Sequence, residues 1–197
     1  MSDPTDLLPE VRERIAARRV CYADPPYAGQ SKKHYGGEEV NFPALISQLQ
    51  EFDAWALSCH ANQLRDLLPL CPKRARVAIW NKPYATFKKG VNPTYAWEPI
   101  IFFSARRSLK QKFVHDFLVC SPVMRAAIVG QKPLEFCFWL FEMLNLRPGD
   151  EFTDMFGGSG AVRIAHEYWI KNYADDAYRE LEPKRSVASV RDTVGKI

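Results

Sequence analysis

The chain has 197 residues, 47% of them hydrophobic and 13% aromatic, which is enough to bury the core of a single domain. Its longest uncharged apolar run, Phe136 to Phe141, is far shorter than a membrane span, and its N-terminus is acidic, so neither a transmembrane protein nor a secreted precursor is expected. Five cysteines without a CxxC pair indicate reduced thiols in a cytoplasmic protein, not a disulfide framework or a metal site. The net charge of +4 is too small to indicate a partner.

Positive charge is concentrated between residues 73 and 112, where ten cationic side chains face one acidic residue, Glu98. Aromatic residues are interleaved with these cations: Trp80, Tyr84, Phe87, Tyr95, Trp97 and Phe113. A surface of this composition neutralises phosphates and stacks on bases, although a solvated basic face has the same composition.

The first half of the chain alternates between predicted helices and strands. In chain order these are a helix over 9–18, a strand over 20–23, a helix over 43–51, a strand over 54–58, a helix over 62–70 and strands over 77–80 and 100–103. Asn41 is the predicted cap of the second helix because it precedes Pro43, a residue favoured in a first helical turn. Strands separated by helices predict an α/β sheet with crossover connections.

The second half begins with a basic linker over 104–132. A long apolar helix is predicted to begin at Pro133 and to end at Arg147, before a proline and a glycine. A strand over 151–154 then leads into a glycine-rich turn and a further helix from Ala161.

The glycine-rich turn, Phe156-Gly157-Gly158-Ser159-Gly160, lies between a predicted strand and a predicted helix. Glycines permit positive φ and close backbone approach, so a cofactor can lie against the main chain at the carboxyl end of the strand. The turn has neither the GxGxxG pattern nor a Walker lysine, so a dinucleotide-binding fold or an NTPase is not indicated. A plain strand-to-helix connection has the same pattern.

A second motif, Asp24-Pro25-Pro26-Tyr27, directly follows the first predicted strand. Two consecutive prolines fix φ and lack N–H groups, which leaves an extended chain with free carbonyls. The aspartate and a proline carbonyl can accept the two N–H bonds of a planar amine while the phenol ring stacks on the heterocycle. A proline-stiffened surface turn is the alternative for this motif alone.

Together, the two motifs resemble those of the amino-methyltransferases, which use S-adenosylmethionine (SAM) to methylate exocyclic nitrogens of DNA bases. The DPPY motif precedes the FxGxG motif here, as in the permuted β-type members of that family. Gln131-Lys132-Pro133 followed by Pro148-Gly149-Asp150 resembles the family's segment ahead of the cofactor motif, and Trp97-Glu98-Pro99 resembles the start of a late strand of its catalytic half. The resemblance covers residues 20 to 168.

The resemblance implies a Rossmann-like class I methyltransferase sheet flanked by helices, in one domain spanning residues 1–197. Residues 20–103 would be its catalytic half, 104–130 a short DNA-recognition segment and 131–197 its cofactor-binding half. The implied substrate is the N6 amine of an adenine flipped out of double-stranded DNA, since an aspartate opens the catalytic motif. The short recognition segment implies a brief recognition site or help from a second subunit, as in a homodimer.

The resemblance also implies a role for individual residues. The catalytic residues would be Asp24, Pro25, Pro26 and Tyr27. SAM would be bound by Lys132, Asp154, Phe156, Gly157, Gly158, Ser159, Gly160 and Asp192. Contacts to DNA are expected from Lys32, Lys33, His34, Tyr35, Arg106, Arg107, Lys110 and Lys112. No metal site is expected.

One departure from the family lies after the glycine-rich turn. The helix from Ala161 is predicted to continue toward Glu182, and only 186–190, before Asp192, resembles a strand, so the sheet is expected to lack outer strands. A catalytically silent nucleic-acid-binding relative is therefore an alternative function. An RNA or protein methyltransferase on the same scaffold is another.

Overall fold

A computed structural model describes residues 16–26, 39–84, 89–104, 114–123 and 131–179, with side chains described as far as residue 172. Its strands are β1 (Arg19–Ala23), β2 (Ala54–Ser58), β3 (Arg76–Asn81), β4 (Trp97–Ser104), β5 (Phe117–Val119) and β6 (Glu151–Asp154). They form one six-stranded sheet in the order β5-β3-β4-β2-β1-β6. Within the described ranges, no helix is long and apolar enough to cross a membrane.

Within the described ranges, four α-helices accompany the sheet: α1 (Phe42–Leu49), α2 (Leu64–Leu67), α3 (Leu134–Met143) and α4 (Ala161–Arg179). The Asn41 side chain accepts a hydrogen bond from the Ala44 N–H at 3.1 Å, so the predicted cap of α1 is confirmed. The predicted helix over 62–70 is α2 with a 3₁₀ turn at each end, Ala61–Gln63 and Leu68–Leu70.

The sheet is mixed: crossover connections join only some of its strands. Strand β1 pairs in parallel with both β2 and β6, whereas β4 is antiparallel to both β2 and β3. The described residues between β3 and β4 contain no helix, and a chain that returns without a crossover pairs antiparallel. Strand β4 therefore enters the sheet from the edge at which β1, β2 and β6 end.

The two faces of the sheet carry separate halves of the core. Alternate residues of each strand point to opposite faces, so Tyr22 contributes to the face covered by α3 and α4, and Cys21 to the face covered by α1 and α2. Aromatic rings dominate the first face, where Phe136 of α3 lies 4.9 Å from the Trp80 ring of β3 between ring centroids. Helix α3 is thereby fixed across the middle of the sheet.

Three predicted boundaries are wrong. Residues 16–18 are not helical, so the first predicted helix does not extend to Arg18, and residues 9–15 lie outside the described part. Helix α3 ends at Met143, four residues before Arg147, because Asn145 adopts a left-handed φ of 55° that stops it. The basic linker contains a strand, β5, which pairs in parallel with β3.

The expected loss of outer strands concerns the β6 side of the sheet. Among the described residues no strand pairs with the outer side of β6, and α4 extends to Arg179 as predicted. The weak strand prediction over 186–190 lies outside the described residues.

Candidate active site

The two motifs lie side by side at one edge of the sheet. Because β1 and β6 are parallel neighbours, their carboxyl ends meet at the same edge, about 4.8 Å apart. Asp24 is the first residue after β1, and Asp154 is the last residue of β6, in register with Tyr22. The Met155 N–H donates to the Tyr22 carbonyl at 3.0 Å, which joins the residue that follows β6 to the end of β1.

Tyr22, two residues before the Asp24-Pro25-Pro26 turn, is held rigidly. Tyr22 is fully buried, and its hydroxyl lies 2.8 Å from the Ser58 hydroxyl at the end of β2. Burial, then Asp24 and Glu98, raise the pKa of Tyr22 well above its ordinary value, so the phenol is neutral. Pro25 is buried and Pro26 is half-buried, so the strand leads directly into a fixed turn. Tyr27 lies outside the described residues.

Asp24 is one end of a buried chain of charges. The Lys132 ammonium nitrogen is 3.0 Å from Asp24 Oδ1 and 2.6 Å from Glu98 Oε1. The other carboxylate oxygen of Glu98, Oε2, accepts from the Lys82 ammonium at 2.7 Å. The side chains of Glu98 and Lys132 are only 3% and 7% exposed, whereas Asp24 keeps 25% of its side-chain surface accessible.

These surroundings shift the pKa values of Asp24 and Glu98 in opposite directions. Burial raises the pKa of Asp24 above its ordinary value, Lys132 partly reverses the shift, and Glu98 raises it again. Burial alone would raise the pKa of Glu98 too, but Lys132 and Lys82 outweigh it and lower that pKa to about 2. Glu98 is therefore ionised at every physiological pH, while Asp24 is protonated more readily than an ordinary aspartate.

The glycine-rich turn borders a cleft of about 380 Å³ beside the end of β6. The cleft is lined by Phe152, Asp154, Gly157, Gly158, Ser159, Gly160, Arg163 and His166. Two of the glycines have positive φ, +42° at Gly158 and +73° at Gly160, which explains why glycine is present at both positions. The turn closes through a 2.6 Å hydrogen bond from the Gly160 N–H to the Gly157 carbonyl, and α4 begins directly after it.

Asp154 is held at the mouth of this turn. Its Oδ1 accepts from the Phe156 N–H at 3.3 Å, which fixes the carboxylate against the turn that follows. Burial raises the pKa of Asp154, and the hydrogen bond from Phe156 opposes the shift. The cleft thus offers a carboxylate and exposed backbone at the start of a helix, a combination suited to a ligand with both amine and carboxylate groups.

The structure brings together most of the site residues that it describes, in two groups. Asp154, Gly157, Gly158, Ser159 and Gly160 line the cleft, with Phe156 inside the same turn. Lys132, predicted to bind the cofactor, pairs with Asp24 and Glu98 and is not among the residues that line the cleft. The other predicted site residues lie outside the described ranges: Tyr27, Lys32, Lys33, His34, Tyr35, Arg106, Arg107, Lys110, Lys112 and Asp192.

Sequence reasoning missed Glu98 and Lys82 as parts of the site. The signal for Glu98 was available, because it is the only acidic residue among ten cations between residues 73 and 112. An isolated acid in so basic a segment predicts a buried counter-ion.

The aromatic residues of that basic segment do not all face solvent. Trp80 is a core residue whose indole N–H donates to the Cys120 carbonyl at 2.9 Å, so its expected role in stacking on bases is wrong. Tyr84, Tyr95 and Trp97 are exposed, and the Tyr95 ring lies edge-on to His60 while its hydroxyl donates to Asn62. Phe87 and Phe113 lie outside the described residues.

Comparison with solved structures finds the same fold. A crystal structure of an M1.HpyAVI–SAM complex superposes with a TM-score of 0.54 at 15% identity, covering 91% of this chain and 96% of that chain. A second structure of M1.HpyAVI gives a TM-score of 0.51 at 12% identity over the same shares. No protein-family model and no curated protein matches the sequence. The predicted α/β sheet flanked by helices is confirmed, and its fold is that of these two structures.

Proposed function

We propose that this protein is an enzyme that transfers a methyl group from SAM to the exocyclic N6 amine of adenine in DNA. The observation that carries the proposal is the adjacency of the Asp24-Pro25-Pro26 turn and the glycine-rich turn at the ends of paired strands. One turn offers acceptors for an amine and the other offers a cleft for a cofactor, so donor and acceptor would meet at a single edge. M1.HpyAVI, whose structure has the same fold, was crystallised as a complex with SAM, which supports SAM as the cofactor.

The cleft fits SAM in its chemistry. Asp154 would accept from the amino group of the methionine end. The backbone from Phe156 to Gly160 would lie against the ligand, since no side chain of the described residues occupies the space above Gly157 and Gly160. Asp192, outside the described residues, would hold the ribose hydroxyls. When bound, SAM supplies an electrophilic methyl group on a sulfonium.

The residues of the catalytic turn would position the base. The Asp24 carboxylate and the Pro25 carbonyl accept the two N–H bonds of the amine, which directs its lone pair toward the cleft. No described residue bonds Asp24 Oδ2, so this oxygen can receive the substrate, whereas Oδ1 is held by Lys132. Tyr27 would stack on the base, which must leave the duplex to reach a site at this edge. Positioning and electrostatics then supply most of the rate.

DNA is the proposed partner on electrostatic grounds. Lys73 and Arg74 are exposed at the start of the basic segment, and the cations at 32–33 and 106–112 would extend the contact to phosphates. An aspartate at the first position of the catalytic motif favours adenine over cytosine as the target. All five cysteines are free thiols, which suits the reducing cytoplasm as the proposed location.

A transfer assay with labelled SAM tests the proposal. Unmodified bacterial DNA and total RNA are incubated separately with the purified protein, and hydrolysed nucleosides are then separated. Label in N6-methyladenine from DNA is expected. Label in RNA alone would support the RNA methyltransferase, and DNA binding without label in either would support the silent relative.

A further inference from the structure

The buried chain of charges contains more groups than a structural ion pair requires. Glu98 is held between two ammonium groups, and one of them, Lys132, reaches on to Asp24. Removing charges from water costs several kcal/mol per ion, and replacement of a buried ion pair by apolar residues is often neutral or stabilising. Stability alone is therefore a weak reason for this arrangement.

Lys132 is fixed in place by what surrounds it. It lies two residues before α3, and its ammonium nitrogen is 5.3 Å from the ring centroids of both Trp80 and Phe136. Those two rings pack against each other in the core, so they form a rigid wall behind the ammonium. The lysine head group can then serve as a fixed donor to Asp24 Oδ1.

Glu98 holds the opposite side of the same ammonium. Trp80 and Glu98 are paired in register across β3 and β4, so the position of Glu98 is set by the sheet. Lys82 occupies its second oxygen, which leaves Glu98 Oε1 directed at Lys132. Glu98 thereby neutralises part of the positive charge of Lys132, which weakens the effect of Lys132 on Asp24.

We propose that Glu98 is a positioning residue which, by sharing the Lys132 ammonium with Asp24, sets the orientation and the hydrogen-bonding strength of the Asp24 carboxylate. This inference rests on the proposed function, in which Asp24 accepts the amine of the substrate. Without Glu98, the whole charge of Lys132 would act on Asp24 and weaken its hold on the amine. Without Lys132, Asp24 would face Glu98 with no cation between them.

Removal of Glu98 and removal of Lys132 should shift the pKa of Asp24 in opposite directions. Among the residues that the structure describes, the charged and titratable groups that face Asp24 are Lys132 before α3, Glu98 on β4, Lys82 on β3 and Tyr22 on its own strand. Glu98 raises the pKa of Asp24 and Lys132 lowers it. Glu98→Gln should therefore lower that pKa, and Lys132→Gln should raise it, a pair of opposite shifts that a merely structural role would not produce.

The test measures the titration of Asp24 directly. Protein labelled with ¹³C at the aspartate carboxyl carbons is titrated by NMR as wild type, Glu98→Gln and Lys132→Gln, with Asp24→Asn to assign the signal. Asp116→Asn is the matched control, because Asp116 forms an exposed ion pair with Arg76 at 3.0 Å. We expect the pKa of Asp24 to fall in Glu98→Gln, to rise in Lys132→Gln and to stay unchanged in Asp116→Asn.

A kinetic arm links the titration to the reaction. Glu98→Gln should lower kcat about tenfold or more, the effect of removing one charge-assisted hydrogen bond, with the KM for DNA and the Kd of SAM nearly unchanged. The acid limb of the kcat profile should move to lower pH in Glu98→Gln and to higher pH in Lys132→Gln. Melting curves verify that each variant folds, and if Glu98→Gln does not, the Lys132→Gln titration decides alone.

The outcomes separate this inference from the proposed function. An Asp24 signal that titrates identically in all folded variants overturns the role of Glu98, even if the protein methylates DNA. Opposite shifts in a protein that transfers no methyl group would support the coupling of Glu98 to Asp24 and refute the proposed reaction. A Glu98→Gln variant with normal kcat also overturns the inference.

Discussion

The burial of Glu98 between two lysines predicts a specific dependence of stability on pH. In the folded protein the pKa of Glu98 is about 2, against an ordinary value of 4.5. This difference corresponds to about 3 kcal/mol in the free energy of unfolding. Because the folded-state pKa is the lower one, the stabilisation is fully present above pH 5 and is lost as the pH falls toward 2. Linkage gives a loss of about 2 kcal/mol by pH 3.

Urea unfolding of the wild type and Glu98→Gln, followed by tryptophan fluorescence at pH 7, 4 and 3, measures this dependence. The variant should be less stable by about 3 kcal/mol at pH 7, because the lysines lose their buried counter-ion. The difference between the two proteins should shrink by about 2 kcal/mol at pH 3, when the wild-type carboxyl group has become protonated in the unfolded chain.

The comparison cancels the acid-titrating groups that lie away from Glu98, since both proteins contain them unchanged. Asp24, whose pKa depends on Glu98, does not cancel, and the shift measured for it by NMR corrects the difference. Asp116→Asn serves again as the control, because an exposed ion pair contributes only about 0 to 1 kcal/mol to stability. A stability difference between wild type and Glu98→Gln that stays constant from pH 7 to pH 3 would refute the reasoning. It would mean that folding does not lower the pKa of Glu98.

Three further predictions concern the proposed reaction. Asp24→Ala should slow methyl transfer by on the order of 10² or more with little change in DNA affinity, measured by single-turnover transfer and filter binding; normal turnover would remove its catalytic role. Gly158→Val should weaken SAM binding in calorimetry about tenfold, because φ is +42° there, while Gly157→Ala, with no positive φ, controls for backbone strain; equal affinities of wild type and Gly158→Val would contradict the proposed cleft. Neutralising the basic cluster should lower the slope of log K against log salt by about 0.9 for each phosphate that the protein no longer neutralises, and an unchanged slope would mean a solvated face. The cluster is Arg106, Arg107, Lys110 and Lys112.

Local sequence signals were sufficient to predict the two turns and their proximity at one edge of the sheet. Asp24 follows one short strand and Asp154 ends another, and parallel strands place such positions at one edge, so their proximity could be predicted. The cap at Asn41 and the start of α4 after Gly160 also follow from residue type alone.

The remaining features depend on pairing between distant residues. Glu98 on β4 meets Lys132, which precedes α3, across 34 positions of the chain, a contact that sequence periodicity does not reveal. Trp80 was assigned to the surface by composition, but its register with Glu98 directs it into the core. Strand β5 has three residues and a largely exposed pattern, so it lacks the apolar run by which a buried strand is recognised.

The central claim is most directly tested by the methylated nucleosides of DNA from cells that express the protein. The wild type or Asp24→Ala is expressed in a host without DNA methyltransferases of its own. The DNA of these cells is digested, and its methylated nucleosides are quantified by mass spectrometry. N6-methyladenine is predicted with the wild type and is predicted to be absent with Asp24→Ala, at equal protein levels. N4-methylcytosine in its place would contradict the assignment of adenine, and equal N6-methyladenine in both would contradict the catalytic role of Asp24.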